Sequence, residues 1–306
     1  MADSAAPYYG ITLSGLNVGD GATLEKALDA ALRLKDETGF NAVEVWMDGV
    51  GRHPTRFWPE QYDDALTDRM RAFCENFACV GVHLPFAYSD YTCINPPVAA
   101  AARQQILLAI DQAGALGAAY CVGHARFANL NRVTEDENLR LYADAARQFA
   151  DRAGRFATGP GGRAMRYCME TCEFLDSPEK MVRIVAEAGH PDFRLTLDAG
   201  KMMVYASRKF TDPSAADYAD GTPAMLAWLD EHAGLIGSTH LWDYEASPGR
   251  GGRILPGNGL CDIAAVVGKL VAAAYDGSYN LETSGDFQAE KTAIETLRRY
   301  LDAAGD

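Results

Sequence analysis

Short runs rich in β-branched and aromatic residues alternate along this chain with longer segments whose apolar residues recur at helical spacing. This is the pattern of an α/β protein built on a parallel sheet. The strand-like runs are Tyr8 to Leu13, Ala42 to Trp46, Cys79 to His83, Ala119 to His124, Arg166 to Glu170, Arg194 to Asp198, Ile236 to His240 and Tyr279 to Glu282. Eight such βα units predict closure into a single-domain (β/α)8 TIM barrel over residues 1–306.

Helix ends are marked as well. Leu24, Ala27, Leu28, Ala31 and Leu34 share one face, and Gly39 follows as a left-handed stop. Thr134 and Glu137 have capping-box spacing, while Ser177-Pro178 and Thr222-Pro223 each set a cap residue before a proline suited to the first helical turn. Asp262 is a cap for a helix from Ile263 to Ala274, and a last helix is expected from about Ala289 to Ala303, ended by Gly305. Two connections, Met202 to Gly221 and Tyr244 to Leu260, are longer than a compact barrel needs; they read as substrate-covering loops or as disordered or oligomer-contacting ones.

Composition narrows the class. With 306 residues and 48% apolar content the chain can bury one large core. No run approaches the roughly twenty apolar residues of a membrane span, and the start lacks a basic region followed by an apolar one, so a soluble cytoplasmic protein with no membrane partner is expected. The seven cysteines form no C-x-x-C pair, which points to reduced thiols rather than a disulfide framework or a structural zinc site. A net charge of −14 repels polyanions and opposes nucleic acid as a partner.

Four consecutive strand-like runs end in a residue able to hold a divalent cation: Glu170, Asp198, His240 and Glu282. Parallel strands wrapped into a barrel would bring these together at the carboxyl rim, where such folds carry their chemistry. Any one of them alone reads as an ordinary strand-end group. Four in succession favour a metal, because buried acids repel one another and a cation offsets that cost. Three oxygen donors and one nitrogen suit Mn²⁺ best, with Co²⁺, Mg²⁺ or Zn²⁺ as alternatives. Cys168 and Cys172 share the strand face of Glu170, and barrel packing explains Cys168 better than ligation.

The order of segments resembles the xylose-isomerase-like barrel superfamily of sugar isomerases, sugar epimerases and endonuclease IV. The resemblance rests on Gly81-Val82-His83-Leu84-Pro85-Phe86, Asn95 with the following helix, Leu197-Asp198-Ala199-Gly200, His240-Leu241-Trp242-Asp243 and Pro256-Gly257-Asn258-Gly259, and it runs over nearly the whole chain. It implies Glu170, Asp198, His240 and Glu282 as metal ligands, with Glu170 and Glu282 also acting as an acid–base pair on opposite faces of a small carbohydrate substrate. His83 and His124 fall where endonuclease IV binds a further zinc and where the sugar enzymes contact substrate. Glu44 could hold a sugar hydroxyl or support another site residue. Trp46, Phe86, Tyr88, Phe127, Trp242 and Tyr244 could wall the pocket, two or three of them against ligand, or pack barrel to helix.

Two departures from the superfamily pattern stand out. Lys201 follows Asp198-Ala199-Gly200 where histidine is usual, and Arg253 precedes the Pro-Gly turn where histidine is frequent. A protonated Lys or Arg cannot coordinate a metal, which undercuts an endonuclease IV-like hydrolase. Both could donate to an anionic group of the substrate, or form intramolecular salt bridges. The expectation is therefore a divalent-metal-dependent isomerase or epimerase of a sugar or sugar-like polyol ketone. The alternative is a metal-dependent lyase, a keto-polyol dehydratase or an enzyme cleaving the C-glycosidic bond of a 3-keto-glycoside. A homo-oligomer or a small partner subunit is compatible with either, the partner subunit with the lyase above all.

Overall fold

A computed structural model describes residues 6–50, 53–87, 89–125, 134–171, 178–206, 221–244 and 253–305. In chain order its elements are β1 (Tyr8–Thr12), α1 (Leu24–Thr38), β2 (Ala42–Trp46), α2 (Asp64–Cys74), β3 (Cys79–His83), α3 (Pro96–Ala115), β4 (Tyr120–His124), α4 (Glu135–Ala153), β5 (Arg166–Glu170), α5 (Pro178–Ala188), β6 (Phe193–Asp198), α6 (Ala199–Ala206), α7 (Thr222–His232), β7 (Ile236–Leu241), β8 (Asp243–Tyr244), β9 (Arg253–Ile254), α8 (Ile263–Ala272), β10 (Ser278–Leu281) and α9 (Phe287–Gly305). The sheet closes as a parallel barrel in the order β1-β10-β7-β6-β5-β4-β3-β2, and β8 with β9 forms a separate antiparallel pair on its rim.

Strand alternation sorts the core into two compartments. Val43, Val45, Val80, Val82, Leu195 and Leu197 face outward into the large apolar layer between sheet and helices. The intervening positions face inward, where Ala42, Cys79, Tyr120, Val122 and Cys168 form a distinct buried cluster inside the barrel. Cys168 thus packs the interior, and burial pushes its thiol up to about 12. Gly81 makes room for this packing, since a Cβ there would lie 2.2 Å from the Tyr120 ring.

Local signals explain the helix ends. Thr23 accepts from the Lys26 backbone N–H at 3.3 Å to start α1, and Gly39 ends it with φ 76°. Thr134 and Glu137 form the capping box of α4, and Asp262 caps α8 through Ala265 at 2.9 Å. Thr222 departs from expectation: it is the first residue of α7, after Gly221, and its hydroxyl instead accepts from the Asp262 backbone N–H at 3.1 Å, tying the start of α7 to that of α8. The stretch after Asp198 is also not loop from Met202, because α6 continues to Ala206. Residues 207–220 and 245–252, together with Tyr88, Phe127, Cys172 and Ser177, lie outside the described residues.

Candidate metal and proton-transfer site

Parallel register sets the site residues side by side on the carboxyl rim. Trp46 is level with His83, His124 with Glu170, and Asp198 with His240. Glu282 lies one residue beyond β10, and its backbone N–H still donates to Leu241 O at 3.1 Å, so its side chain is held at the same level. Glu44, Glu170, Asp198 and His240 are fully buried and Glu282 is 2% exposed. Such a burial of acids demands compensation from partners.

Each of the four predicted ligands divides its polar atoms between two tasks. One atom is tied outward. Glu170 Oε1 contacts Lys201 Nζ, Asp198 Oδ1 accepts from the Lys201 backbone N–H at 2.8 Å, Glu282 Oε1 contacts Arg253 Nη1, and His240 Nε2 lies 3.0 and 3.2 Å from the Glu44 oxygens. The other atom faces its counterparts: Glu170 Oε2, Asp198 Oδ2, His240 Nδ1 and Glu282 Oε2 are all buried and accept or donate no hydrogen bond. The four residues offer ligand atoms that lie within 4.8 Å of one another. His240 Nδ1 is 3.5 Å from Glu170 Oε2 and 3.4 Å from Glu282 Oε2, a spacing that fits donors around one cation with bonds of about 2.0–2.2 Å. Three oxygens and one nitrogen suit a hard-to-borderline divalent ion.

Charge follows this division. Burial opposes ionisation of Glu170, but His124, Lys201 and His240 together hold its carboxyl well below the usual carboxylate range. Burial likewise opposes ionisation of Glu282, and His240, Arg253 and Lys201 outweigh it. Asp198 goes the other way: burial raises it to about 7, with Lys201 only partly opposing and Glu170 and Glu282 adding repulsion. Burial disfavours the charged form of His240, yet Glu44, Glu282 and Glu170 hold its pKa well above the ordinary value. The site attracts positive charge to the place where these four atoms meet, and Lys201 Nζ already supplies some to Asp198 Oδ2 at 3.3 Å.

His83 and His124 flank Glu170. His124 Nε2 is 2.7 Å and His83 Nε2 3.4 Å from Glu170 Oε2, and the two imidazoles are 3.1 Å apart through their Nε2 atoms. The 2.7 Å approach is a close polar contact without hydrogen-bond alignment, since no hydrogen bond reaches Glu170 Oε2. Burial lowers His124 to about 4 despite Glu170, so its ring is neutral near pH 7. With Glu170 these histidines form a second group able to hold a cation. Trp46 stacks on His83 at 4.4 Å and Phe86 on His124 at 4.8 Å, which makes one aromatic wall. Trp242 and Tyr244 are buried on the opposite side of the rim, and Gly200 allows this because a Cβ there would lie 2.1 Å from the Trp242 indole.

Lys201 and Arg253 therefore both sit on carboxylates of the predicted ligand set: Lys201 Nζ bridges Glu170 Oε1 and Asp198 Oδ2, the latter at 3.3 Å, and Arg253 contacts Glu282 and also stacks on Trp242 at 5.2 Å. Sequence reasoning missed Tyr120, whose hydroxyl donates to Glu44 Oε2 at 3.2 Å, and Asn280, whose amide contacts that hydroxyl. Alternation carried a signal for each. Tyr120 shares the inward face of β4 with His124, and Asn280 that of β10 with Glu282. Asp243 was also missed; its carboxylate accepts from the N–H groups of Tyr244, Gly257, Gly259 and Cys261 at 2.7–3.0 Å and fixes the loop after β9. Among the described residues, His53, His190 and His232 stand away from this cluster, His53 bridging Leu16 O and the Thr55 hydroxyl.

Residues 32–303 match the model of a family described as xylose isomerase-like TIM barrel. No curated protein is matched by sequence. Among solved structures, similarity extends to a D-tagatose 3-epimerase-like protein (TM-score 0.73, 17% identity, 97% of this chain and 98% of that one). It extends also to an L-ribulose 3-epimerase (0.69, 16%, 98% and 96%) and to a D-allulose 3-epimerase from Methylomonas sp. (0.68, 17%, 98% and 100%). At these identities the likeness establishes the shared barrel. No helix among the described residues is long and apolar enough to cross a membrane.

Proposed function

Because this chain belongs to the xylose isomerase-like TIM barrel family, we propose that it is a divalent-metal-dependent epimerase or isomerase of a ketose sugar. The observation that carries this reading is the convergence of Glu170, Asp198, His240 and Glu282, each buried, each with a polar atom that makes no hydrogen bond, and together offering ligand atoms within 4.8 Å of one another. The structural neighbours named as 3-epimerases support the same direction. Mn²⁺ is the proposed ion, and bound there it would polarise the substrate carbonyl and the adjacent hydroxyl, lowering the barrier to removal of the neighbouring proton.

The residues themselves supply the proton path. Glu170 and Glu282 come from β5 and the end of β10, separated in the barrel by β6 and β7, so a sugar between them would present opposite faces to the two carboxylates. Both are held ionised by cationic neighbours, which makes either competent as a base. In epimerisation one takes the proton from the carbon next to the carbonyl and the C–H electron pair moves into an enediolate; the other, after taking up a proton from solvent, delivers it to the opposite face, and the first then releases its proton to solvent. In aldose–ketose isomerisation the returning proton goes to the former carbonyl carbon. Lys201 and Arg253 hold the outer oxygens of these acids and fix their orientation. His83 and His124, the latter neutral, are placed to bind sugar hydroxyls, with Trp46 and Trp242 closing the pocket around them.

Glu44 is best read as support for His240, because its carboxylate is engaged by that ring and by Tyr120. The test is product analysis: Mn²⁺-reconstituted protein is incubated with a panel of pentuloses and hexuloses, and the sugars are resolved by chromatography. A C3 epimer identifies an epimerase and an aldose an isomerase. Loss of water or of an aglycone without either product would replace this reading with the lyase.

A further inference from the structure

Among the described residues three cations stand beside the site, and two of them are already engaged with its carboxylates, Lys201 with Glu170 and Asp198 and Arg253 with Glu282. The third, Arg56, is different. Its guanidinium lies 4.2 Å over the Trp46 ring, Nη1 donates to Val50 O at 2.9 Å, Nη2 lies 3.5 Å from Ser14 Oγ, and Nε is buried with no acceptor. Among the described residues it forms no ion pair. Asp48 is the first carboxylate whose field bears on it, but that side chain accepts from the backbone N–H groups of Val50 at 2.9 Å and Ala87 at 3.3 Å. Burial lowers the Arg56 pKa, and Asp48 and Glu282 do not offset it.

A half-buried guanidinium without a counter-ion is costly unless something supplies negative charge. Two further features sit beside it. Trp46 is 6% exposed and its indole N–H also lacks an acceptor, so two neighbouring donors await one. The loop bearing Arg56 is held in place: His53 bridges Leu16 O and the Thr55 hydroxyl at 2.9 and 2.7 Å, and the Arg56 N–H donates to His53 O at 3.1 Å. From Arg56 the path to the reacting centre is short, through Trp46, then His83 at 4.4 Å from that indole, then Glu170 Oε2 at 3.4 Å from the imidazole.

We propose that Arg56, stacked on Trp46, is a specificity-determining residue that receives a carboxylate or phosphate at the end of the sugar remote from Glu170 and Glu282. The natural substrate is then an acidic or phosphorylated ketose rather than a neutral one. This rests on the epimerase or isomerase reading for the sugar, but not on which carbon is deprotonated. Arg donates in a planar fork that matches both oxyanions, and an indole N–H beside it adds a third donor.

The experiment is isothermal titration calorimetry of the Mn²⁺-loaded full chain with D-fructose, D-fructose 6-phosphate and D-fructuronate, on wild type, Arg56→Met and Arg56→Lys. Wild type should bind one of the charged sugars roughly ten- to a hundredfold more tightly than D-fructose, the span of a charge-assisted hydrogen bond. Whether phosphate or carboxylate gains more separates the two sources. Arg56→Met should bring the ratio of charged to neutral affinity close to one, and Arg56→Lys should keep part of it. Equal affinities in wild type overturn the proposal, as does a ratio that survives in Arg56→Met, which would put the anion on the metal instead. Binding is read without turnover, so failure of hydrogen exchange in every sugar would sink the epimerase reading while leaving the charge preference measurable. Arg56→Lys, with unfolding followed by circular dichroism, keeps the test valid if Arg56→Met is poorly folded.

Discussion

Glu44 holds His240 by Nε2 at 3.0 Å and thereby leaves Nδ1 as the ring nitrogen turned toward Glu170 and Glu282. The two residues are far apart in sequence and meet across the inside of the barrel, with Tyr120 and Asn280 stacked behind Glu44 to steady it. A carboxylate of this kind sets the imidazole tautomer and increases its basicity as a ligand. Glu44→Gln should therefore weaken Mn²⁺ binding by about 10–100-fold while the fold persists. Calorimetric titration of the metal checks this. An unchanged dissociation constant would return Glu44 to the role of a substrate contact.

Lys201 offsets two buried acids at once. Its removal leaves Glu170 and Asp198 to face one another without their shared cation, and breaking a buried pair typically costs about 3–5 kcal/mol. Lys201→Met should lower the melting temperature of metal-free protein, and saturating Mn²⁺ should recover much of the loss by supplying positive charge to the same acids. Thermal unfolding with and without the ion measures both. Equal destabilisation in the two conditions would mean that Lys201 acts through packing alone.

Glu290 predicts a pH dependence outside the proposed metal site. It is 1% exposed on α9, Thr283 Oγ1 lies 2.7 and 3.0 Å from its two oxygens, and burial raises it from 4.5 to about 7 against that hydrogen bond. A folded pKa above the unfolded one means that the folded state binds the extra proton between those values. The contribution to stability is fully present below about 4.5 and is lost as pH rises to about 7. Glu290→Gln should flatten that window and, on the order of 3 kcal/mol, stabilise the protein at pH 8 relative to wild type. Urea midpoints from pH 5 to pH 8 provide the check, with parallel curves for the two proteins counting against it.

Gly200 has no side chain because the Trp242 indole occupies the space. Gly200→Ala should shift Trp242 and with it Arg253, weakening the grip on Glu282, and cost about 1–3 kcal/mol as an overpacked position. Tryptophan fluorescence and unfolding midpoint should move together. A silent substitution would show that the rim relaxes freely.

The barrel was legible because each strand is a short apolar run bounded by helical spacing, and the eight expected strands fall within about a residue of β1 to β7 and β10. Glu170, Asp198, His240 and Glu282 were legible as a group for the same reason: parallel closure makes consecutive strand ends neighbours. What sequence could not supply is which atom of each residue faces inward. That depends on partners such as Lys201, beyond the end of the neighbouring strand, on Glu170 and Glu44, from across the barrel, on His240. The Thr222 cap failed because a long-range partner, the Asp262 N–H, competes for its hydroxyl. Arg56 carried no sequence signal at all, since its missing counter-ion is a property of the folded rim.

The decisive measurement is the rate at which the hydrogen next to the carbonyl of a bound ketose exchanges with D2O, followed by NMR while Mn²⁺ is titrated into chelator-stripped protein and into Glu282→Gln. Exchange should be absent in stripped wild type, rise to saturation with one equivalent of ion, and remain at least about a hundredfold slower in Glu282→Gln that binds the ion. Full-rate exchange in protein shown by elemental analysis to be metal-free, or native exchange in metal-loaded Glu282→Gln, would contradict a metal-assisted proton transfer between Glu170 and Glu282.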